Sequence, residues 1–115
     1  MDNTSIEQEI VDKGLTAPRI KPSDIEANIA SEHYFTAYQG AVMATSSPVP
    51  GELGLLTFCV LVLRNGFMVT GESACASPEN FDAELGRFFG RQNAVSKVWP
   101  LMGYELKSKI ASTME

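Results

Sequence analysis

The sequence is poor in the residues that carry catalysis and metal binding: one histidine, two cysteines and one tryptophan in 115 residues. Cys59 and Cys75 are too few and wrongly spaced for a zinc site, and they read as small core-lining thiols of a reducing compartment. His33 would need a nucleophile and an orienting group to act as a base, so it reads as a structural or surface residue. Positive charge is scarce too. Nine Lys and Arg against fourteen Asp and Glu leave a net charge of −5, which argues against a DNA-coating protein with a basic face. It leaves room for a small anion held by two or three local arginines. The longest apolar run, Phe58 to Leu63, is far too short to span a bilayer. The N-terminus lacks the basic and apolar regions of a signal peptide. The expectation is a cytosolic chain that engages neither DNA nor membrane, with no cofactor, no metal and no catalytic residues. The remaining enzymatic reading, a hydrolase using Cys75 and His33, needs the base within hydrogen-bond reach of the thiol.

What the chain does have is a hairpin. Leu55 to Ser73 contains two apolar runs that meet at Asn65-Gly66, a strong signal for a two-residue type I′ turn. That turn would set Leu63 opposite Met68, Val62 opposite Val69 and Leu61 opposite Thr70. Cys59, Leu61, Leu63 and Met68 then share one face, and Phe58, Val60, Val62, Phe67 and Val69 the other. Both faces are apolar, so the hairpin should be covered twice, by its own helices and by a partner.

Around it the pattern predicts an α+β fold: a small antiparallel sheet, the central hairpin plus an edge strand, packed against helices. Residues 1–22 read as an N-terminal helix and proline-containing linker, and 23–115 as a single domain. The capping box Thr4-x-x-Glu7 starts a helix over about 5–13, which Gly14 stops. A second box, Ser23-x-x-Glu26, starts a helix through about Ser31, and His33 to Tyr38 reads as a strand. Gly40 to Gly54 reads as a flexible loop, either a plain excursion or a lid. Ser77-Pro78 should cap the main helix, which ends near Val98-Trp99 ahead of Pro100; a last helix then runs to about Ala111. The main helix carries large apolar residues on one side (Phe81, Leu85, Phe88, Val95) and a stripe of Ala83, Gly86, Gly90 and Ala94 opposite. Two helical glycines cost roughly 1 kcal/mol each, so the stripe implies close approach by a helix or strand of this chain or by a neighbouring subunit. Arg87 and Arg91 lie one turn apart on a flank beside Glu84, either as a solvated edge or as a two-arginine phosphate clamp. Trp99 is either a core plug or a stacking platform.

Three segments, Thr70-Gly-Glu-Ser-Ala-Cys75, Pro78-Glu-Asn-Phe-Asp-Ala-Glu-Leu-Gly-Arg87 and Lys97-Val-Trp-Pro-Leu-Met-Gly-Tyr104, together resemble a family of small tailed-phage proteins labelled only "phage protein". The resemblance extends weakly back to Asp24-Ile-Glu-Ala-Asn28. It takes in the Thoeris anti-defence one proteins, sponges that sequester cyclic ADP-ribose isomers made by bacterial TIR-domain enzymes, some relatives also taking cyclic oligonucleotides. It implies a viral, non-enzymatic binder in the host cytoplasm that counters bacterial defence. The sponges are homo-oligomers with pockets at subunit junctions, where helix arginines hold phosphates and an aromatic ring stacks on the base. Carried over, Arg87 and Arg91 would be the phosphate residues and Phe67, beside Asn65, the stacking ring, with Trp99 or Tyr34 as alternatives. The chain departs from the family in the bulk of Phe88-Phe89-Gly90, and in its longer N-terminal helix and Gly40–Gly54 loop. The other reading is a small phage protein that inhibits a host protein by surface contact.

Overall fold

The computed structural model describes residues 3–15 and 17–114. The parts of the expected 1–22 and 23–115 units that fall on Met1, Asp2, Thr16 and Glu115 lie outside the described residues. The fold is α+β, a three-stranded antiparallel sheet in the order β1-β2-β3 packed against helices.

Helix α1 spans Asn3–Asp12. Gly14, at φ +70°, stops it as expected: the Leu15 N–H reaches back to the Ile10 carbonyl at 3.1 Å, a glycine-dependent C-terminal cap. Helix α2, Pro22–Ala27, is shorter than its sequence pattern and starts earlier. Its cap is not Ser23: the Lys21 N–H donates to the Asp24 carboxylate at 2.8 Å. The chain leaves the helix at Asn28 because the Asn28 carbonyl accepts the Arg64 N–H at 2.9 Å, drawing the next residues into the sheet. Strand β1 therefore begins early, as Ile29–Thr36.

Tyr38 is not in the strand. Thr36 and Gln39 form a reciprocal capping box, 2.9 and 3.1 Å, which starts α3, Ala37–Ala44. The expected loop over residues 40–54 is thus the end of a helix, a short connection and a 3₁₀ turn over Gly51–Leu55.

Strands β2, Leu56–Leu63, and β3, Met68–Ala74, form the central hairpin. Its register differs by one from the type I′ expectation. In the turn only Gly66 has positive φ, +87°; Leu63 closes a three-residue loop by donating to the Phe67 carbonyl at 2.8 Å and accepting from the Gly66 N–H at 2.9 Å. This is a type I turn with a glycine bulge. Leu61 consequently faces Val69 and Val62 faces Met68. A one-residue slip moves every side chain of β3 to the other face, so Val69 joins Cys59, Leu61 and Leu63 in the core while Met68 is exposed.

Helix α4, Ala83–Thr113, is a single helix. Its cap is Asp82, which accepts the Leu85 N–H at 3.1 Å; Pro78–Asn80 forms a 3₁₀ turn before it. The helix runs through Pro100 rather than stopping there. The carbonyl that Pro100 leaves without its helical donor belongs to Ser96, and both residues face solvent, so water can replace the missing bond.

The small-residue stripe faces the chain's own sheet. Gly90, Ala94 and Val98 are buried over β2 and β3, and Gly86 approaches the buried Thr57. A Cβ at Gly71 would land on the Gly90 carbonyl oxygen and the Ala94 amide nitrogen, so β3 and α4 touch backbone to backbone. The core of Ile25, Cys59, Leu61, Leu63, Val69, Ala94 and Val98 lies in this single layer. The other sheet face keeps Phe35, Phe58, Val60, Val62 and Met68 half-buried or exposed, with α3 touching it where Gly40 lies against the Phe35 ring.

Candidate functional site

Both arginines of the expected clamp project from α4 toward β1, but they do different things. Arg91 is bound inside the molecule. Its guanidinium forks onto Glu26 of α2 at 2.7 and 3.2 Å, and its Nε donates to Glu32 of β1 at 3.0 Å. The Tyr34 hydroxyl donates to the other Glu32 oxygen at 3.0 Å. Three elements are thereby tied to one cation. The hydrogen bond from Arg91 holds the Glu32 carboxyl below the usual glutamate range, the hydrogen bond to Glu26 raises Arg91 further, and burial pushes the Tyr34 phenol up.

Arg87, one turn earlier, is exposed, and none of the ion pairs among the described residues includes it. It borders a cleft of about 330 Å³ whose walls include Tyr34, Phe35 and Phe81, with Thr36, Gln39 and Thr57 between them. Three larger clefts lie elsewhere, about 400 and 360 Å³ beside α1 and about 450 Å³ beside the hairpin turn. None has an aromatic wall, and their arginines are engaged: Arg19 pairs with Glu7 at 2.6 Å, and Arg64 is bonded through Nε to the Ala27 carbonyl at 2.9 Å. Of these clefts, the Arg87 one sets a cation without a carboxylate partner among the described residues against aromatic rings.

The other expected site residues do not converge on it within one chain. Asn65 and Phe67 sit at the hairpin turn, where the Asn65 side chain accepts the Phe67 N–H at 2.9 Å. That turn lies beside Met102 and Glu105, roughly 27 Å along α4 from Arg87 at 1.5 Å per residue. Phe67 is exposed and Trp99 packs half-buried against the core. Tyr34 lines the Arg87 cleft. Phe35, Gln39 and Thr57 were not among the expected site residues; the capping box Thr36-x-x-Gln39, which starts α3 beside β1, is a local signal for Gln39, whereas Thr57 arrives from β2 by strand pairing with Thr36.

A scan against protein-family models matches residues 20–110 to the phage protein (N4 Gp49/phage Sf6 gene 66) family. The chain belongs to that family. The match spans most of the chain, from the linker before α2 to the last turns of α4, so the residues of the Arg87 cleft, the Arg91 bridge and the hairpin all lie within the matched span, whereas α1 precedes it. No curated protein and no solved structure matches.

Among the described residues of this phage protein no group of three His, Cys, Asp or Glu side chains comes together as metal ligands. No helix among them is long and apolar enough to cross a membrane. The Cys75–His33 pairing does not form. His33 lies on β1 and contacts Ser31 at 3.0 Å, while Cys75 follows β3 at the opposite sheet edge and donates to the Ser77 carbonyl; strand spacings put the two roughly 20 Å apart.

The Arg91 bridge makes stability acid-sensitive. A carboxyl whose folded pKa is depressed contributes stability that is present above its unfolded pKa and is lost as pH falls through the folded one. The loss should therefore begin near the ordinary glutamate pKa of about 4.3 and deepen below it. Glu32→Gln is expected to flatten this limb and to lower stability at neutral pH, measured by urea denaturation between pH 3 and 7. An acid limb as steep as in the unaltered protein would contradict the assignment to Glu32.

Proposed function

We propose that this phage protein acts by binding, not catalysis, and that it sequesters a cyclic nucleotide signal of bacterial defence in the host cytoplasm. The ligands would be cyclic ADP-ribose isomers or cyclic oligonucleotides. The observation that carries the reading is Arg87, a cation with no carboxylate partner among the described residues, beside a cleft walled by Tyr34, Phe35 and Phe81. A guanidinium supplies planar, charge-assisted contacts to phosphate, and the rings offer stacking surface to a base. The resemblance to the sponge proteins supplies the ligand class. Arg91 drops out as a phosphate residue, since using it would strip Glu26 and Glu32 of their cation. An open cleft of about 330 Å³ is at the lower end for a ligand site and cannot enclose a dinucleotide alone. The further wall, and any contribution from Asn65, Phe67 or Trp99, would come from a second subunit, making this a homo-oligomer with its pocket at a junction.

Isothermal titration calorimetry with cyclic ADP-ribose isomers and cyclic dinucleotides tests the reading. Arg87→Ala is expected to weaken binding by roughly ten- to a hundredfold, the loss of one charge-assisted contact, with the melting temperature unchanged. Wild-type protein that binds none of these ligands, or Arg87→Ala that binds like wild type, would refute it. The second reading, inhibition of a host protein by surface contact, is favoured by the exposed Phe88, Phe89 and Met68. It is the reading left standing if no nucleotide binds.

A further inference from the structure

The chain exposes more surface than a protein of its size keeps in isolation. Its accessible area is 8010 Å², against about 6,200 Å² for a compact monomer of 12.5 kDa. Its radius of gyration is 18.3 Å where about 13 Å is usual. The molecule is 18 Å thick along its shortest axis, one sheet and one helix layer. The excess, about 1,800 Å², is over twice what one partner contributes to a standard interface, about 800 Å².

The sequence of α4 says where part of that excess lies. Its side chains alternate in steps of three and four from Leu85 through Phe88, Gln92, Val95 and Trp99 to Met102, the spacing of a two-helix seam. The C-terminal half is occupied within the chain: Val95, Trp99 and Met102 pack against the core beside Ile25. The N-terminal half is uncovered, with Leu85 53% and Phe88 59% exposed and Phe89 46% beside them. These residues are large because they do not face the sheet; the glycines do.

We infer that the first three turns of α4 form an antiparallel, two-fold interface with the same turns of a second copy of this chain, Leu85 and Phe88 at its centre and one Gln92 at each of its two ends. A two-fold interface needs a self-complementary patch, and a short apolar seam with a polar residue at each end is such a patch; a polar residue at a seam position fixes register. This names the surface behind the oligomer of the preceding section. Its readout is mass in the absence of nucleotide, so it stands or falls separately from ligand binding.

Sedimentation velocity on the full chain at tens of micromolar is expected to give twice the 12.5 kDa chain mass or an even multiple of it. Leu85→Glu with Phe88→Glu should halve the assembly, with the circular dichroism spectrum retained. Gln92→Glu, the milder change, should raise the dissociation constant by about tenfold or more by setting a charge against the apolar residues of the partner helix. Met43→Glu, at the 87% exposed Met43 of α3, should leave the mass unaltered. A monomeric wild type, or an assembly that survives all the α4 substitutions, would overturn the proposal.

Discussion

Gly71→Ala is expected to lower stability by more than about 3 kcal/mol or to prevent folding, the upper end of what overpacking costs. The added methyl group would meet the Gly90 carbonyl oxygen and the Ala94 amide nitrogen and Cα. These are backbone atoms on both sides, so no side chain can swing away and the whole helix must lift. Gly90→Ala is the contrasting case. Its Cβ would meet Cys59 Cβ and the Gly71 carbonyl oxygen at 3.5 Å, ordinary contact, and a helical alanine gains about 1 kcal/mol over glycine. It should be neutral or stabilising, while Gly90→Leu should cost roughly 1–3 kcal/mol by driving the sheet away. Urea denaturation of the three variants checks the order. A tolerated Gly71→Ala would mean that α4 does not lie on β3 as described.

Arg91→Ala is the second large effect, and its direction differs from that of an exposed phosphate clamp. The sequence placed Arg91 on a solvated flank, where removal would leave melting untouched. In the fold it joins α2, β1 and α4, with about 30% of its side chain exposed. Removal should cost roughly 1–2 kcal/mol, between the limits for exposed and buried pairs, or a fall in melting temperature of about 4–10 °C. Arg91→Lys should recover only part, since an ammonium cannot reach both carboxylates with a planar fork. Thermal melts without ligand decide the matter. Unchanged melting of Arg91→Ala would return Arg91 to the pool of ligand residues.

The two arginines illustrate what was legible in the sequence. Helical spacing placed them on one flank, but the acids that separate their roles lie 65 and 59 residues away in the chain, beyond any local pattern. The stripe of Gly86, Gly90 and Ala94 announced a close approach without naming the approaching surface, because a β-strand and a neighbouring helix require the same small residues. Asn65-Gly66 located the hairpin but not its register. A type I′ turn needs positive φ at both residues and the bulged turn only at Gly66, and the composition serves either; the one-residue difference decided whether Met68 or Val69 entered the core. Pro100 misled because propensity yields to packing: Trp99 and Met102, on either side of it, both pack against the core. Thr36-x-x-Gln39 was legible and passed over, and with it α3 and the Gln39 side of the Arg87 cleft.

Native mass spectrometry of the full chain, incubated with cyclic ADP-ribose isomers and cyclic dinucleotides, tests the binding account most directly. It weighs assembly and ligand in one spectrum. The account predicts an oligomer carrying nucleotide of unaltered mass, recovered intact after heat denaturation, and the same oligomer without nucleotide for Arg87→Ala. A wild-type spectrum free of bound nucleotide, or a ligand returned as hydrolysis products, would contradict it.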